Sequence, residues 1–476
     1  MRMRWAVAAA GAWALGCWAA GSAAGQAVDE PVSPEVTHWV IATTESPNYD
    51  KATAGDPLFA DKTLWPNVTG AEAYVKQTWP AGRTLVWAHP GQEGGARGLD
   101  PLDPANWTDA ATGRPATDLF DENTDMVLPP SDRAYAVNLR GPGHGHSTYP
   151  QVFRHVTVGR NANYLGGGDG VGRKIYGSLW LKRGGKMHCQ GATAFLGGAH
   201  TFVRNDNTEG PDKATNCVNM SQYFTFNKEG SSSVEMLGHV RMLDEFRVHA
   251  GTAIVGPNSR LETGRNASPT VHRDGTIAIL DGGYFGSWTN NFGGVDLMVN
   301  GGTIQGGLAD RPLARDAYLG IHFKNHTQAS WKPDQTIERR PALVLQAGST
   351  LRAYTKDPAK ARLVVTFAGE RGSLYYAAAR SDAEEARLAA LTDPKGKEAY
   401  EKYKWYYSLP RGLSIWMAGD VAVENVEFDW LRKGGLMLQS PAARSGWKNV
   451  TFGPHGLGTP DELISELGQL DRSSQY

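Results

Sequence analysis

The chain has 476 residues, of which 41% are apolar, 48 are Lys or Arg and 49 are Asp or Glu. This apolar fraction excludes a disordered chain, and a net charge of −1 without a basic stripe argues against nucleic acid as a partner. The 57 glycines, about 12% of the chain against a usual value of about 7%, indicate many tight turns.

The N-terminus has the order of a secretory signal peptide. Arg2 and Arg4 precede an apolar run from Trp5 to Ala20, and small residues follow through Ala27. We therefore expect residues 1–27 to be removed and the mature chain to be secreted, whether extracellular, periplasmic or at the cell surface. No later stretch is long and apolar enough to predict a membrane span. Lipid attachment at Cys17 is the alternative.

Residues 28–125 are expected to form an N-terminal extension and cap. Within them, residues 100–125 are dense in Asp, Asn, Gly and Pro, which favours a series of solvated turns. The same side-chain oxygens are the ligands that calcium prefers, so a calcium site is the alternative there. No other cofactor or metal is predicted.

From residue 126 a repeated pattern of short strands and glycine corners begins. Two apolar residues in alternate positions are followed by a glycine and by a further apolar residue two or three places later. The glycines that match are Gly184, Gly251, Gly283, Gly302 and Gly348. Their gaps of 67, 32, 19 and 46 residues correspond to three, one, one and two coils of a parallel β-helix, at about 20 to 30 residues a coil.

The pattern predicts an all-β solenoid over residues 126–372. A β-sandwich with short hairpins is the alternative, since it also combines strands with glycine turns. Residues 373–411 break the pattern with a helical insertion, which opens on the capping box Ser381–Glu384. Residues 412–476 are expected to hold the final coils, with an acidic amphipathic run over Thr459–Leu470 as the C-terminal cap.

Two cysteines remain after removal of the signal peptide. Cys189 and Cys217 are 28 residues apart, close to one coil, which would place their thiols on adjacent rungs. An oxidising compartment permits a disulfide between them. Two buried thiols are an equal alternative.

One strand-like segment carries candidate catalytic residues. His239 and Arg241 lie two positions apart and should share a strand face, which suits a general base and a group that binds a uronate carboxylate. Asp244 and Glu245 follow and supply the carboxylates that a glycoside hydrolase needs. The alternative is a solvated strand face.

Two further groups are candidates for substrate binding. His322, Lys324 and His326 alternate along a second segment, so they should share a face that suits an anionic sugar, and a surface strand is the alternative. The helical insertion carries flat rings that suit the faces of sugars, and docking of the insertion is the alternative for them. These rings belong to Tyr403, Trp405 and Tyr406.

Residues 85–205 resemble a known module. The matching segments are Asn106–Asp109, Gly113–Pro115, Asp125–Pro129, Val152–Val158 and the corner Gly184–Gly185. They resemble the glycine-rich extracellular module that precedes or forms the first coils of right-handed parallel β-helices in secreted and cell-surface proteins, some of which depolymerise hyaluronan. The remainder resembles the pectin-lyase-like superfamily in its coil periodicity, and none of that superfamily's catalytic residue sets can be matched to it. The resemblance therefore implies a right-handed parallel β-helix and a carbohydrate ligand, without assigning a catalytic residue.

These observations together predict a secreted, monomeric, right-handed parallel β-helix with a short α-helical insertion. Its expected partner is an acidic polysaccharide, which it binds, with cleavage by elimination or hydrolysis as a further expectation. The alternative is a non-enzymatic, surface-adhesive solenoid.

Overall fold

The computed structural model describes residues 38–41, 49–51, 74–77, 82–95, 98–139, 151–166, 173–190, 193–196, 200–207, 218–221, 224–227, 232–243, 246–265, 269–289, 297–322, 343–367, 413–429, 431–439, 444, 446–454, 456 and 458–466. The chain divides into two compact units, Met1–Glu35 and Val36–Tyr476, and every described residue belongs to the second. The expected signal peptide (1–27) and helical insertion (373–411) lie outside the described residues.

The described part is almost entirely β-structure, so the prediction of an all-β fold is confirmed. In chain order the strands are β1 (His38–Ile41), β2 (Tyr49–Lys51), β3 (Tyr74–Gln77), β4 (Arg83–Trp87), β5 (Trp107–Asp109), β6 (Arg114–Pro115), β7 (Thr124–Leu128), β8 (Tyr135–Asn138), β9 (Gln151–Phe153), β10 (Val156–Val158), β11 (Ala162–Gly166), β12 (Arg173–Ile175), β13 (Leu179–Leu181), β14 (Lys186–Gln190), β15 (Thr193–Phe195), β16 (Thr201–Asn205), β17 (Val218–Ser221), β18 (Phe224–Asn227), β19 (Ser233–Leu237), β20 (His239–Leu243), β21 (Phe246–Val255), β22 (Arg260–Arg265), β23 (Thr270–Ile279), β24 (Tyr284–Thr289), β25 (Leu297–Asn300), β26 (Thr303–Gly306), β27 (Ala317–His322), β28 (Leu343–Leu345), β29 (Thr350–Ala353), β30 (Leu363–Phe367), β31 (Leu413–Met417), β32 (Ala422–Phe428), β33 (Leu431–Leu438), β34 (Trp447–Phe452) and β35 (Ile464–Glu466). A 3₁₀ turn covers Pro104–Asn106 and one short helix, α1, covers Pro460–Leu463.

The strands form a small antiparallel sheet and a large, mostly parallel one. The small sheet has the order β1-β3-β2. In the large sheet β5 pairs antiparallel with β4 and with β6, which makes the sheet mixed. Its other strand pairs are parallel and fall into three series.

Series A consists of β4, β7, β10, β13, β16, β19, the C-terminal parts of β21 and β23, β26, β29 and the N-terminal parts of β32 and β34. Series B consists of β8, β11, β14, β17, β20, β22, β24, β27, β30 and the C-terminal parts of β32 and β34. Series C consists of β9, β12, β15, β18, the N-terminal parts of β21 and β23, β25, β28, β31, β33 and β35. The chain passes through A, B and C in turn, and one such passage is called a circuit below.

Each series contributes a column of stacked apolar side chains to the core. In every column the residues are in register on adjacent strands and fully buried, at 0% exposure. The column of series A includes Val234, Ala253, Ile277, Ile304, Leu351 and Val423. That of series B includes Val240, Leu261, Phe285, Leu319, Val365 and Phe428, and that of series C includes Val248, Val271, Val299, Leu345, Met417 and Leu438. Burial of a Val, Leu, Ile, Phe or Met side chain contributes roughly 1.5 to 3 kcal/mol, so the columns stabilise the stacking of successive circuits.

The corners between series carry residues in the left-handed backbone region. Between A and B these are Asn161, Gly184, Gly238, Asn258, Gly282, Gly307, Asn425 and Asn449, and between C and A they are Gly251, Gly301, Gly348 and Gly419. Glycine and asparagine tolerate this conformation better than other residues.

The interpretation of the matched glycines as one repeated corner is therefore wrong. Gly184 and Gly283 lie at the corner from A to B, whereas the other three lie at the corner from C to A. Gly283 and Gly302 are consequently less than one circuit apart, and the 46 residues from Gly302 to Gly348 span one circuit, not two. At four corners from A to B in the described part, asparagine takes the left-handed position, and a glycine pattern cannot match these corners.

An aromatic cluster closes the N-terminal end of the core. Trp87 and Trp107, on the antiparallel strands β4 and β5, are 1% and 0% exposed and have ring centroids 5.1 Å apart. Trp107 contacts Phe120 at 4.8 Å, and Phe120 contacts Phe153 of β9 at 5.1 Å. Such a cap covers apolar surface that the first circuit would otherwise expose.

The C-terminal end differs from the expected amphipathic run. Helix α1 is a single turn in which the Glu462 carboxylate accepts from the Thr459 backbone N–H at 2.9 Å and pairs with Lys433 at 2.8 Å. The chain then returns to series C, where Ile464 pairs with Leu436. Strand pairing thus takes precedence over the helical pattern after one turn. None of the helices in the described part is long and apolar enough to cross a membrane.

Candidate functional site

His239 and Arg241 lie on the same, outward side of β20. Val240, between them, belongs to the buried column of series B. The side chains of His239 and Arg241 are 19% and 9% exposed. Alternation along the strand therefore brings the two predicted residues to one surface.

The adjacent strand β22 completes a cluster of charges there. In register, His239 pairs with Arg260 and Arg241 pairs with Glu262. Glu262 is 3% exposed and lies at the centre. Its Oε2 is 2.9 Å from Arg241 Nε, and its Oε1 is 2.7 Å from Arg260 Nε and 3.5 Å from His239 Nε2. These four residues are called the Glu262 cluster.

The Glu262 cluster carries an excess of positive charge. Burial alone would raise the pKa of Glu262, but His239, Arg260 and Arg241 together hold it well below its usual range. The carboxylate is therefore ionised at neutral pH, and two guanidinium groups stand against it. Arg260 Nη2 is also buried and has no hydrogen-bond acceptor in the part of the chain that the structure describes. An anionic group of a ligand would complement this charge.

Tyrosines continue the surface beyond Arg260. Tyr284 is in register with Arg260, and Tyr318 is in register with Tyr284 on the following strand. The guanidinium carbon of Arg260 lies 4.7 Å from the centroid of the Tyr284 ring, a cation–π contact. A Cβ on Gly320 would lie 2.4 Å from the Tyr284 hydroxyl oxygen, so Tyr284 reaches across β27 only because residue 320 has no side chain. Burial raises the pKa of Tyr284, which keeps its hydroxyl protonated.

The same surface ends in acidic groups. Tyr318 is 37% exposed and is the one large apolar side chain that is exposed among the described residues. Two strands beyond it, through Val364, lies Glu427. Arg362 Nη1 is 2.9 Å from Glu427 Oε2, yet burial still raises the pKa of this carboxyl above its usual value. The outward face of series B thus changes from cationic through aromatic to acidic.

The other candidate residues are not brought into this cluster by the described structure. His322 lies at the end of β27 in register with Trp288, and Cys189 lies in β14 in register with Met220. The remaining candidates lie outside the described residues. They are Asp244, Glu245, Lys324, His326, Tyr403, Trp405, Tyr406 and Cys217.

Sequence reasoning missed Arg260, Glu262 and Tyr284. Arg260 and Glu262 each follow their register partners, His239 and Arg241, by 21 positions. That spacing is within the length expected for one coil. If the expected coil length had been applied to the outward charged residues as well as to the glycines, it would have predicted that these four residues lie side by side.

In the acidic turns of residues 100–125, most of the aspartate carboxylates described here accept hydrogen bonds from nearby backbone N–H groups. Asp100, Asp103, Asp109 and Asp121 each accept a backbone N–H two residues on, at 2.9 Å. Asp125 instead forms a buried pair with Arg154, with 2.6 Å between Oδ2 and Nη2. No group of three or more His, Cys, Asp or Glu side chains suited to a metal ion occurs in the described ranges.

A second buried glutamate lies on series A and contrasts with Glu262. Glu235 is 4% exposed, and its nearest cation is Arg311 of the loop after β26, with 3.5 Å between Nη1 and Oε2. Its other oxygen, Oε1, is buried without a hydrogen-bond donor in the described part of the chain. Burial therefore raises the pKa of Glu235, and Arg311 offsets only part of that effect.

Comparisons with known proteins assign no family to the chain. No protein-family model, no curated protein and no solved structure matches it. The chemistry of its function is therefore inferred from its own residues.

Proposed function

We propose that this protein is a secreted, right-handed parallel β-helix that binds an acidic polysaccharide on the outward face of series B. The fold is supported by the three parallel series with their buried columns, which are the geometry that stacked coils produce. Secretion is supported by the order of charged, apolar and small residues before Ala27.

The observation that carries the proposal is the Glu262 cluster. Three nitrogen-bearing side chains surround one nearly buried carboxylate, and Tyr284 and Tyr318 adjoin them on the next two strands. Guanidinium groups bind carboxylate and sulfate oxygens through paired hydrogen bonds, and aromatic rings suit the apolar faces of sugars. A chain of acidic sugars laid across the strands meets both kinds of group.

For cleavage, the cluster favours elimination over hydrolysis. Hydrolysis uses two carboxyl groups, and within the described residues Glu262 is the one carboxyl in contact with His239 and Arg241. In an elimination, His239 takes the proton from the carbon beside the uronate carboxylate while Arg241 binds that carboxylate. The bond to the leaving sugar oxygen then breaks with its electron pair. The oxygen takes a proton from water, and a carbon–carbon double bond remains in the product.

Binding is tested by titrating the mature protein with anionic and neutral polysaccharides at two salt concentrations. We expect binding of anionic polymers that weakens with salt, since screening reduces attraction between exposed charges. Arg241→Gln should lower the affinity about tenfold, the equivalent of one lost charged hydrogen bond. Arg133→Gln, which removes an exposed arginine elsewhere, is the matched control. Equal affinity for neutral and anionic polymers would overturn the proposal.

Cleavage is tested on the polymers that bind, by ultraviolet absorbance of an unsaturated uronate and by reducing ends. A rise in both that is abolished in His239→Gln supports elimination. Reducing ends without the absorbance would mean hydrolysis and would move attention to Asp244 and Glu245.

A second candidate is a non-enzymatic, adhesive solenoid. The observation that favours it is that all three nitrogen-bearing side chains of the cluster already face Glu262, an arrangement that also serves as a purely structural ion cluster. Polymer binding without either cleavage signal would support this candidate.

A further inference from the structure

A row of threonine hydroxyls crosses the outward side of series A, on a different face from the Glu262 cluster. Its members are in register on four successive strands, so each circuit contributes one of them. Each precedes a fully buried residue of the series A column and therefore points outward, and all four are half-buried. The threonine row consists of Thr252, Thr276, Thr303 and Thr350.

The hydroxyls of the threonine row have no hydrogen-bond partner in the described part of the chain. Threonines on neighbouring strands can stabilise a sheet by hydrogen bonding to one another, and these do not. Thr263 on β22 shows the contrast, since it donates to the Gly286 carbonyl at 3.3 Å. The row therefore presents four groups that can each donate and accept a hydrogen bond.

The threonine row has two defined ends. On β19, Ser233 is in register with Thr252, but its hydroxyl is 2.8 Å from His200 Nδ1. On β32, Ala422 is in register with Thr350 and has no hydroxyl. Neighbouring strands lie about 4.8 Å apart, so the four hydroxyls extend over roughly 14 Å. This length suits a short oligosaccharide laid across the strands.

Arg352 adds a positively charged group at the end of the row. It lies two positions after Thr350, on the same side of β29. Gln305 Oε1 accepts from Arg352 Nε at 3.2 Å and from Arg352 Nη2 at 3.0 Å. Gln305 is 5% exposed and in turn donates to the Gly307 carbonyl at 3.2 Å. The guanidinium carbon also lies 4.6 Å from the centroid of the Tyr354 ring, so the group is held in place by two neighbours.

The charge of Arg352 is not neutralised by an ion pair within the described residues. Gln305, which holds the guanidinium group, is a neutral amide. In register with Arg352 on β32 lies Glu424, which is exposed and forms no ion pair with it. Asp274, two positions before Thr276, is also exposed. An anionic group beside Arg352 would therefore gain a charge-assisted hydrogen bond.

We propose that the threonine row and Arg352 form a second carbohydrate-binding surface, for a sugar chain that carries a carboxylate or sulfate group. Threonine hydroxyls donate and accept as sugar hydroxyls do, so the row can hydrogen-bond along the sugar chain. Gln305 uses two of the five N–H groups of Arg352, and the others bind the anionic substituent. The surface lies on series A and does not rest on the proposed function of series B.

The test is calorimetric titration of the mature protein with three tetrasaccharides. The probes are a galacturonic acid tetrasaccharide, a sulfated tetrasaccharide from heparin, and neutral cellotetraose. We expect a charged probe to bind and cellotetraose to bind more weakly, since it lacks a group for Arg352. Preference for the galacturonic acid or the sulfated probe identifies the anionic group, and either preference supports the proposal.

Variants of the threonine row test the hydroxyls. The double change Thr276→Val and Thr303→Val keeps the branched shape of both side chains. It should lower the affinity for the charged probe about tenfold, the equivalent of two lost neutral hydrogen bonds. Thr157→Val is the matched control, because Thr157 is a half-buried threonine on β10 of the same series, outside the row.

Variants at the end of the row test the charge. Arg352→Gln should lower the affinity for the charged probe about tenfold and leave that for cellotetraose unchanged. Glu424→Gln removes a neighbouring negative charge and should raise the affinity for the charged probe about twofold at low salt. Opposite effects of these two changes on one probe distinguish a charged site from a loss of folding.

The same titrations of Arg241→Gln separate this surface from series B. If Arg241→Gln has no effect while the changes on series A do, this proposal holds and the proposed function of series B fails. The proposal is overturned if no charged tetrasaccharide binds or if Arg241→Gln alone removes all binding. It is also overturned if cellotetraose binds as tightly as the charged probes, or if the double threonine variant and Arg352→Gln bind them unchanged.

Discussion

Arg241 and Glu262 are 21 positions apart in the sequence and face each other across β20 and β22, with 2.9 Å between Arg241 Nε and Glu262 Oε2. The same offset places Arg260 beside His239. Residues that alternate along β20 and along β22 thus become neighbours, and they form a compact group of opposite charges because the two strands are one circuit apart. Removal of its central carboxylate affects every member.

Glu262→Gln should destabilise the protein strongly. It keeps the shape of the side chain but leaves Arg241 and Arg260 without their counter-charge in a site that is nearly closed to water. Loss of one partner from a buried ion pair costs about 3 to 5 kcal/mol. Urea denaturation of both proteins at neutral pH measures the difference in free energy of unfolding. A loss no greater than that of Glu427→Gln, at the more exposed end of the same face, would contradict this prediction.

Glu235→Gln should instead increase the free energy of unfolding. Burial raises the pKa of Glu235, so the ionised form is disfavoured in the folded protein, and glutamine resembles the protonated form. We expect the variant to be more stable than the parent at neutral pH. The advantage should shrink as the pH falls through the raised pKa of folded Glu235 and should be lost below about 4.5, where the unfolded chain is protonated as well. The two glutamates are about equally buried, so each variant controls for the other in the same denaturation series.

Acid should weaken the fold through His249 on β21 and His272 on β23, whose imidazole rings are stacked with centroids 4.3 Å apart. Since the pKa of His249 and of His272 is lowered in the folded protein, the unfolded chain binds more protons below about 6.5. The free energy of unfolding should therefore decrease as the pH falls from 6.5 toward the folded-state pKa values. The double variant His249→Asn, His272→Asn should show a flatter dependence over this range. Parallel curves for the variant and its parent would show that the pair does not contribute.

Gly320→Ala should displace Tyr284 from β27. The added Cβ would meet the tyrosine hydroxyl at 2.4 Å, and the ring must move because the backbone beneath it is held in the sheet. We expect a loss of stability of about 1 kcal/mol and weaker polymer binding, measured by thermal denaturation and by titration. Gly446→Ala is the matched control, because a Cβ at that position has no heavy atom within 4 Å. Unchanged polymer affinity in Gly320→Ala would remove Tyr284 from the proposed binding surface.

The sequence predicted which neighbouring residues share a strand face, but it predicted the corners of the fold only in part. Alternation around Val240 predicts that His239 and Arg241 share a face, because successive side chains of a strand point to opposite faces. The corners were only partly predictable, since Asn161 and Asn258 adopt the left-handed conformation as Gly184 does but do not match a glycine pattern.

Some other features that depend on pairing between distant strands were not accessible from one sequence. The stack of His249 on His272 arises from shifts of register in three neighbouring strands, and no local pattern marks it. The same holds for Arg311, which reaches Glu235 from 76 positions further along the chain. Ile464 likewise lies in a strand and not in the expected helical run, because it pairs with Leu436.

The buried columns have a consequence for how such a chain changes over evolution. Val271 pairs with Val299 across 28 positions and Val299 with Leu345 across 46, yet both pairs stack in the same column of series C. Residues inserted at a corner therefore lengthen the path between strands without altering what the strands present to one another. New surface chemistry can therefore be added at the corners by insertion while the buried columns keep their register.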